Sequence, residues 1–105
     1  MSRIIGNLSE VAPLYDAAFV DLWGCVHNGV TAFPEAVAAL QAFRAAGKKV
    51  VLLTNAPRAR AEVQKQLVKW GIPDDAWDVI ATSGDSARAA MFTGAVGRKV
   101  WCVGQ

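Results

Sequence analysis

The sequence predicts an α/β protein in which helices flank one parallel sheet. Short apolar runs alternate with stretches of helical periodicity, in the order strand, helix, strand, helix, strand, helix, strand. The run Val50 to Leu53 is apolar at every position, as in strands that are buried on both faces of a parallel sheet. Gly47 and Gly71 stand where helix stops are expected. This alternation favours right-handed strand–helix–strand units.

The first half of the chain contains two predicted strands and one helix. After a lead-in with at most a brief helical turn, the apolar run Ala17 to Val20 predicts a strand over about residues 17 to 22. A loop without a clear period follows. Pro34 suits the first position of a helix, which runs to the stop at Gly47. The second strand then follows and ends at Thr54 and Asn55.

The second half repeats the same order. Pro57 is predicted to open a helix whose apolar face is spaced at i, i+4 and i+7, with the residues Val63, Leu67 and Trp70. Residues 78 to 81 predict a third strand. The hydroxyl residues that follow can cap a helix over about residues 84 to 91. Residues 99 to 103 predict a fourth strand.

Length and composition limit the classes of function. With 105 residues the chain is one domain at most, and its 53% hydrophobic content is that of a globular protein with a core. The net charge of +2, without a basic run interleaved with aromatics, argues against nucleic-acid binding. We find neither a secretory signal nor the run of about 20 apolar residues that a membrane span needs. A cytoplasmic protein without membrane contact is therefore expected.

The two cysteines do not indicate a metal site. Cys25 and Cys102 lie far apart and lack the CxxC spacing of zinc ligands. Buried thiols are the simplest expectation, and a disulfide requires that the fold bring the two residues together.

Polar residues end the first two predicted strands. Asp21 follows the first strand, and Thr54 and Asn55 follow the second. The carboxyl ends of parallel strands form the ligand-binding edge of an open α/β sheet. A carboxylate there can bind a metal or attack phosphorus, while a hydroxyl, an amide and a helix N-terminus can hold phosphate oxygens. The alternative is that these residues only form turns and helix caps.

These motifs resemble those of the haloacid dehalogenase-like (HAD) superfamily, and more narrowly its class IIA, or NagD-like, branch. The sequence Asp21-Leu22-Trp23-Gly24 is similar to the family's first motif. The segment 45 to 55, which ends in Leu-Leu-Thr-Asn, is the most specific part. Segments 69–73, 80–84 and 100–104 also look like that branch, so the resemblance covers nearly the whole chain from about residue 15.

The resemblance implies a Rossmann-like core and phosphoryl transfer from a small phosphorylated metabolite. By position, Asp21 would be the nucleophile and a Mg²⁺ ligand, and the main-chain carbonyl of Trp23 a second ligand. Thr54 would hydrogen-bond the phosphoryl group, with Asn55 beside it. The turn at residues 24 to 28 would match the mobile turn that helps to close the site.

One departure from the family pattern concerns proton transfer. The family's phosphatases usually carry a second Asp, two residues after the nucleophile, that acts as general acid and then as general base. Here that position is Trp23, and an indole N–H is only a hydrogen-bond donor. Turnover is therefore in doubt. His27 is the nearby residue whose ordinary pKa suits this role, although a lone loop histidine is more often incidental.

A second departure concerns length. In the family, a cap domain, a phosphate-binding lysine and an acidic metal-binding motif follow the point at which this sequence stops. Residues 1–105 are therefore expected to be the N-terminal portion of an incomplete HAD core. Uncovered apolar faces of such a portion would favour self-association.

Two alternatives to a phosphatase stay open. One is a non-catalytic module on the same fold that binds a phospholigand or a protein, which the tryptophan at position 23 favours. The other is a phosphoacceptor domain like the receivers of signalling systems. Receivers usually add paired acidic residues near the N-terminus and a strand-end lysine, and we find neither in this sequence.

Overall fold

The computed structural model describes residues 4–99, 101 and 103. Within these residues three strands and three α-helices alternate. They are β1 (Ala17–Asp21), α1 (Pro34–Ala45), β2 (Lys49–Thr54), α2 (Arg60–Lys69), β3 (Val79–Thr82) and α3 (Ser83–Phe92). Short 3₁₀ turns lie at Leu8–Glu10, Ala12–Leu14 and Asp74–Ala76. The predicted α/β class is confirmed.

The sheet is parallel, with β2 between β1 and β3. Asp21 of β1 is level with Leu53 of β2, and Thr54 of β2 is level with Thr82 of β3. The three strands therefore end at one edge of the sheet, as the sequence predicted for the first two. The predicted fourth strand is not seen: Lys99, Trp101 and Val103 have no strand assignment, and positions 100 and 102 lie outside the described residues.

Only one face of the sheet is covered by the described residues. Side chains alternate between the two faces of a strand, and in β2 Val50 and Leu52 are fully buried whereas Leu53 is exposed. The covered face joins the inward residues of α1 and α2 in one core of Leu22, Val26, Leu40, Phe43, Val50, Leu52, Val63, Leu67, Ile72, Ala76 and Ile80. The opposite face presents Phe19, Leu53 and Val79, which are 73%, 40% and 48% exposed.

Helix α2 begins later than predicted, at Arg60 instead of Pro57. The preceding segment is tied to the start of α3, because the Ala56 carbonyl accepts the N–H of Gly84 at 3.1 Å. The backbones also approach closely there, since a Cβ on Gly84 would overlap the main chain of Arg58. Contacts with residues about 25 positions away therefore set the first turn of α2, and proline preference does not.

Candidate active site

Asp21 stands at the end of β1 with its side chain on the open face of the sheet. It follows the alternation of the strand and is exposed, as is Phe19 two residues earlier. Its Oδ1 accepts the main-chain N–H of Leu22 at 2.9 Å, which fixes one oxygen of the carboxylate. The carboxylate is therefore held at the sheet edge while remaining accessible to a ligand.

A cleft of about 600 Å³ opens at this edge. Residues from the ends of all three strands and from the start of α3 line it: Phe19, Asp21, Leu53, Thr54, Asn55, Ala81, Thr82, Ser83 and Ser86. We call it the carboxylate cleft. The structure thus brings Asp21, Thr54 and Asn55 to one cleft, as the strand order requires.

The sequence left two roles open for Thr54, turn formation and contact with a phosphate ligand, and its position is compatible with both. Its Oγ1 accepts the N–H of Ala56 at 3.2 Å, so the side chain does form a local turn. A threonine hydroxyl still has a hydrogen to donate when its oxygen accepts a bond. The residue is half-buried and lines the cleft.

Helix α3, and not α2, lends its N-terminus to the carboxylate cleft. The amide of Arg60, the first residue of α2, donates to the Asp85 carboxylate at 3.3 and 3.4 Å. Ser83 and Ser86 from the first turn of α3 line the cleft directly. Sequence reasoning had missed these two serines as site residues, although β3 ends at the same sheet edge and predicts that the following helix starts there.

Thr82 caps α3. Its Oγ1 accepts the N–H of Asp85 at 2.9 Å, and the residue is buried. The prediction of a hydroxyl cap is confirmed, and Thr82 rather than Ser83 provides it. Ser83 is thereby left at the first helical position, with its side chain exposed.

The loop after β1 is compactly folded. The Leu22 carbonyl accepts the N–H groups of Cys25, Val26 and His27 at 3.1, 2.8 and 3.3 Å. The Gly24 N–H donates to the His27 carbonyl at 2.8 Å. Leu22 and Val26 are buried in the core. The loop is therefore anchored to the core, and the movement of residues 24 to 28 stays a prediction.

His27 is buried and stacked inside this loop. It is 5% exposed. The centroid of its ring lies 4.0 Å from that of the Trp70 ring, and the two ring planes are inclined by 31°. Its Nδ1 accepts the N–H of Gly29 at 3.0 Å. Burial lowers the pKa of His27 below its ordinary 6.5, and the nearby negative charge of Asp21 opposes part of that shift. These contacts favour neutral His27, and its role in proton transfer stays a prediction.

Trp23 also lies beside His27 and is 64% exposed. The two ring centroids are 5.6 Å apart in an edge arrangement at 66°. A second, smaller cavity of about 190 Å³ opens beside these rings. Its lining is mostly apolar and aromatic: Leu22, Trp23, His27, Thr54, Asn55, Ala56, Val63, Gln66 and Trp70. We call it the aromatic cavity; Thr54 and Asn55 line both cavities.

The donor groups fit Mg²⁺ in kind. Mg²⁺ prefers oxygen ligands and usually keeps several waters, with one or two carboxylates and a substrate phosphate. Asp21 offers a carboxylate, and none of the hydrogen bonds within the described loop ends on the Trp23 carbonyl. No group of three or more acidic, histidine or cysteine side chains lies close enough to hold a metal within residues 4–99, 101 and 103.

Two further predictions concern the cysteines and the membrane. Cys25 is exposed rather than buried, and Cys102 lies outside the described residues, so a disulfide between them stays untested. Among the described residues, the helices are all too short or too polar to cross a bilayer.

A family model described as haloacid dehalogenase-like hydrolase matches residues 18–105. A crystal structure of a hydrolase of the haloacid dehalogenase-like family from Brucella suis 1330 is similar, with 44% sequence identity and a TM-score of 0.79. The similarity covers 83% of this chain and 33% of the Brucella chain. No curated protein matches. The Rossmann-like α/β fold is thereby confirmed, and the chain spans about a third of the length of the Brucella protein.

Proposed function

We propose, because this chain belongs to the haloacid dehalogenase-like hydrolase family, that Asp21 accepts a phosphoryl group from a small phosphate ester. The observation that carries the proposal is the carboxylate cleft. It joins an accessible carboxylate to the hydroxyls and amide of Thr54, Asn55, Ser83 and Ser86. A NagD-like phosphatase is the corresponding narrower proposal.

The chemistry follows from the groups in the cleft. An Asp21 carboxylate oxygen attacks phosphorus, and the ester oxygen leaves on the opposite side. Hydroxyl and amide donors from Thr54, Asn55 and Ser83 hold the phosphoryl oxygens in place. The N-terminal end of α3 adds partial positive charge near the anion. The departing oxygen keeps the electron pair and takes a proton from solvent, and a water molecule then cleaves the aspartyl phosphate to the free Asp21 carboxylate and inorganic phosphate.

Mg²⁺ is the proposed cofactor. Asp21 and the main-chain carbonyl of Trp23 would hold it. When bound, it would neutralise charge between the carboxylate and the phosphate ester. The protein residues position the phosphate ester and donate hydrogen bonds to its oxygens, however much charge the ion neutralises.

A non-catalytic phospholigand-binding or interaction module is the second candidate. It is favoured by the indole at position 23, which cannot exchange a proton with substrate. General acid–base assistance contributes typically ~10²- to 10⁴-fold to rate. Without general acid–base assistance, we expect the protein to bind esters with poor leaving groups tightly and to turn them over slowly.

We also propose a cellular location and the partners of this protein. A cytoplasmic location is part of the proposal. A small phosphorylated metabolite is the ligand, and neither nucleic acid nor membrane is a partner. Self-association through uncovered apolar faces is a further part, checked by sedimentation at increasing protein concentration.

The test is phosphorylation of Asp21 in the protein at its full natural length. The protein is mixed with Mg²⁺ and a panel of phosphate esters, quenched in acid and mapped by peptide mass spectrometry. We expect a phosphoryl group on Asp21 and none in Asp21→Asn. Asp16→Asn, an exposed change at the other end of β1, is the matched control. Binding of an ester without label or turnover would favour the non-catalytic module, and turnover by Asp21→Asn would refute the proposed role.

A further inference from the structure

We propose that Asp85 is a positioning residue of the carboxylate cleft. It holds the loop that carries Asn55 against the start of α3, and it thereby sets the distance between the two walls that bind a phosphoryl group. This inference rests on the proposed function, because it concerns the residues that would hold the phosphoryl oxygens. Asp85 acts through those residues and is not itself part of the cleft lining.

The carboxylate cleft has two walls besides the strand that carries Asp21. One is the end of β2, where Thr54 and Asn55 line the cleft. The other is the first turn of α3, where Ser83 and Ser86 line it. Hydrogen bonds form over donor–acceptor distances of only about 2.7–3.2 Å. A phosphoryl group that accepts bonds from both walls therefore requires a fixed separation between them.

The Asp85 side chain joins these two walls. Its carboxylate oxygens accept the main-chain N–H of Arg60, the first residue of α2, at 3.3 and 3.4 Å. The Arg60 guanidinium adds an ion pair, with its Nε 3.8 Å from Oδ2 of Asp85. Residues 55–59 connect β2 to α2, and we call them the β2–α2 loop. This loop is fixed at one end by β2 and at the other end by Asp85.

Asp85 is itself held at the end of β3. Its main-chain N–H donates to Oγ1 of the buried Thr82 at 2.9 Å. Thr82 is level with Thr54 in the sheet. The bond from Asp85 to Arg60 therefore connects the β2–α2 loop to a rigid point of the same sheet edge.

The backbones of the two walls also meet without spare room. The Ala56 carbonyl accepts the N–H of Gly84 at 3.1 Å. A Cβ on Gly84 would overlap the main chain of Arg58, which cannot move aside as a flexible side chain can. Asp85 follows Gly84 directly, so its bond to Arg60 closes the same contact. A change at either residue should therefore move the loop that begins with Asn55.

Stabilisation of α3 is the alternative role for Asp85. An acidic residue in the first turn of a helix interacts favourably with the helix dipole. That role needs no partner outside α3, whereas the Asp85 carboxylate bonds to a residue 25 positions earlier in the chain. The two roles predict different results. Helix stabilisation alone changes the free energy of unfolding, and positioning also changes the affinity of the folded protein for phosphate.

The experiment measures binding of inorganic phosphate by isothermal titration calorimetry, using the protein at its full natural length with Mg²⁺. Asp85→Ala removes both contacts to Arg60. We expect its Kd for phosphate to rise about tenfold, the effect of about one lost hydrogen bond to a charged group. Asp85→Asn keeps a side-chain oxygen that can accept the Arg60 N–H, so it should restore the Kd to within about twofold of the native value.

Asp78→Ala is the matched control. Asp78 also accepts a main-chain N–H from another element and pairs with an arginine, but it precedes β3 at the sheet edge opposite the cleft. This variant should lower the thermal midpoint and leave the Kd for phosphate unchanged. An unchanged Kd in Asp85→Ala, or an equal rise in both alanine variants, would overturn the inference.

NMR of the protein without phosphate tests the positioning directly. The backbone amide resonances of Asn55 and Ala56 should move in Asp85→Ala and stay in place in Asp78→Ala. Gly84→Ala should move the same resonances, because the added Cβ displaces the β2–α2 loop from α3. Resonances that stay in place in Asp85→Ala would show that the carboxylate does not hold the loop, and would overturn the inference.

The outcomes also separate this inference from the proposed function. Native phosphate binding and labelling of Asp21 that Asp85→Ala leaves unchanged would keep the phosphoryl transfer and refute the positioning role. A native protein that binds no phosphate and gains no label on Asp21 would refute the transfer and, with it, a role for Asp85 in phosphate binding.

Discussion

The indole ring of Trp23 lies directly over Gly29. A Cβ built on Gly29 would overlap the six-membered part of that ring, so only glycine leaves room for it. Gly29 also has a φ of +83°, in the left-handed region that favours glycine. Because Trp23 borders the aromatic cavity, this close approach helps to set the shape of the candidate site.

Gly29→Ala is therefore expected to be more costly than an ordinary change at a left-handed glycine. The backbone conformation alone costs roughly 1–2 kcal/mol, and displacement of the indole adds about 1–3 kcal/mol. Urea denaturation measures the free energy of unfolding, and tryptophan fluorescence reports displacement of the ring. Gly47→Ala is the control, since Gly47 has a φ of +84° and open space around its Cβ position. Equal losses for the two variants would contradict the overlap.

His27 predicts a pH-dependent stability. Burial lowers its pKa in the folded chain below the ordinary 6.5, so the unfolded chain binds the proton more readily. The stability from neutral His27 is therefore complete above about pH 6.5 and is lost as the pH falls through the folded pKa. Denaturation midpoints from pH 8 to pH 5 should fall more for the native chain than for His27→Gln. Parallel pH profiles would show that the histidine is not desolvated.

Asp78 predicts a second, more acidic dependence. Its carboxylate accepts the Val50 N–H at 2.7 Å and pairs with the Arg44 guanidinium at 2.8 Å. These two contacts lower the pKa of Asp78 below its ordinary 3.8. Its contribution is present above about pH 3.8 and is lost as the pH falls through the lower, folded pKa.

Asp78→Asn should accordingly lower the denaturation midpoint at pH 7 and have a shrinking effect as the pH drops below 3.8. Asp74→Asn is the control, because Arg44 bonds to the main-chain carbonyl of Asp74 and not to its side chain. An effect of Asp78→Asn that is as large at pH 2 as at pH 7 would argue against a contribution from the charged form.

The two faces of β2 predict opposite responses to the same truncation. Leu52 is fully buried in the core, and Leu52→Ala should cost about 2–5 kcal/mol of unfolding free energy. Leu53, one residue later, lies on the open face, and Leu53→Ala should cost less than about 1 kcal/mol. Urea denaturation of the two variants is the measurement. A large loss for Leu53→Ala would mean that another surface covers that face in solution.

Much of the site was predictable because its signals are local. The apolar run before Asp21 and the run before Thr54 each identify a strand, and helical periodicity between them implies a parallel crossover. Parallel neighbours end at the same sheet edge, so the meeting of Asp21, Thr54 and Asn55 follows from the chain order. These predictions needed no knowledge of distant contacts.

The sequence by itself therefore determined the class of fold, the ends of the first two strands to within about one residue, and Asp21 as the nucleophile candidate. Only the tertiary structure decided that α2 begins at Arg60, because Ala56 and Arg60 bond to residues at the start of α3. It also decided that His27 is buried against Trp70, a residue 43 positions later in the chain (70 − 27). The tertiary structure likewise decided that Trp23 borders the aromatic cavity. The physical reason is that burial and stacking depend on which elements pack together, and local patterns do not encode those distant partners.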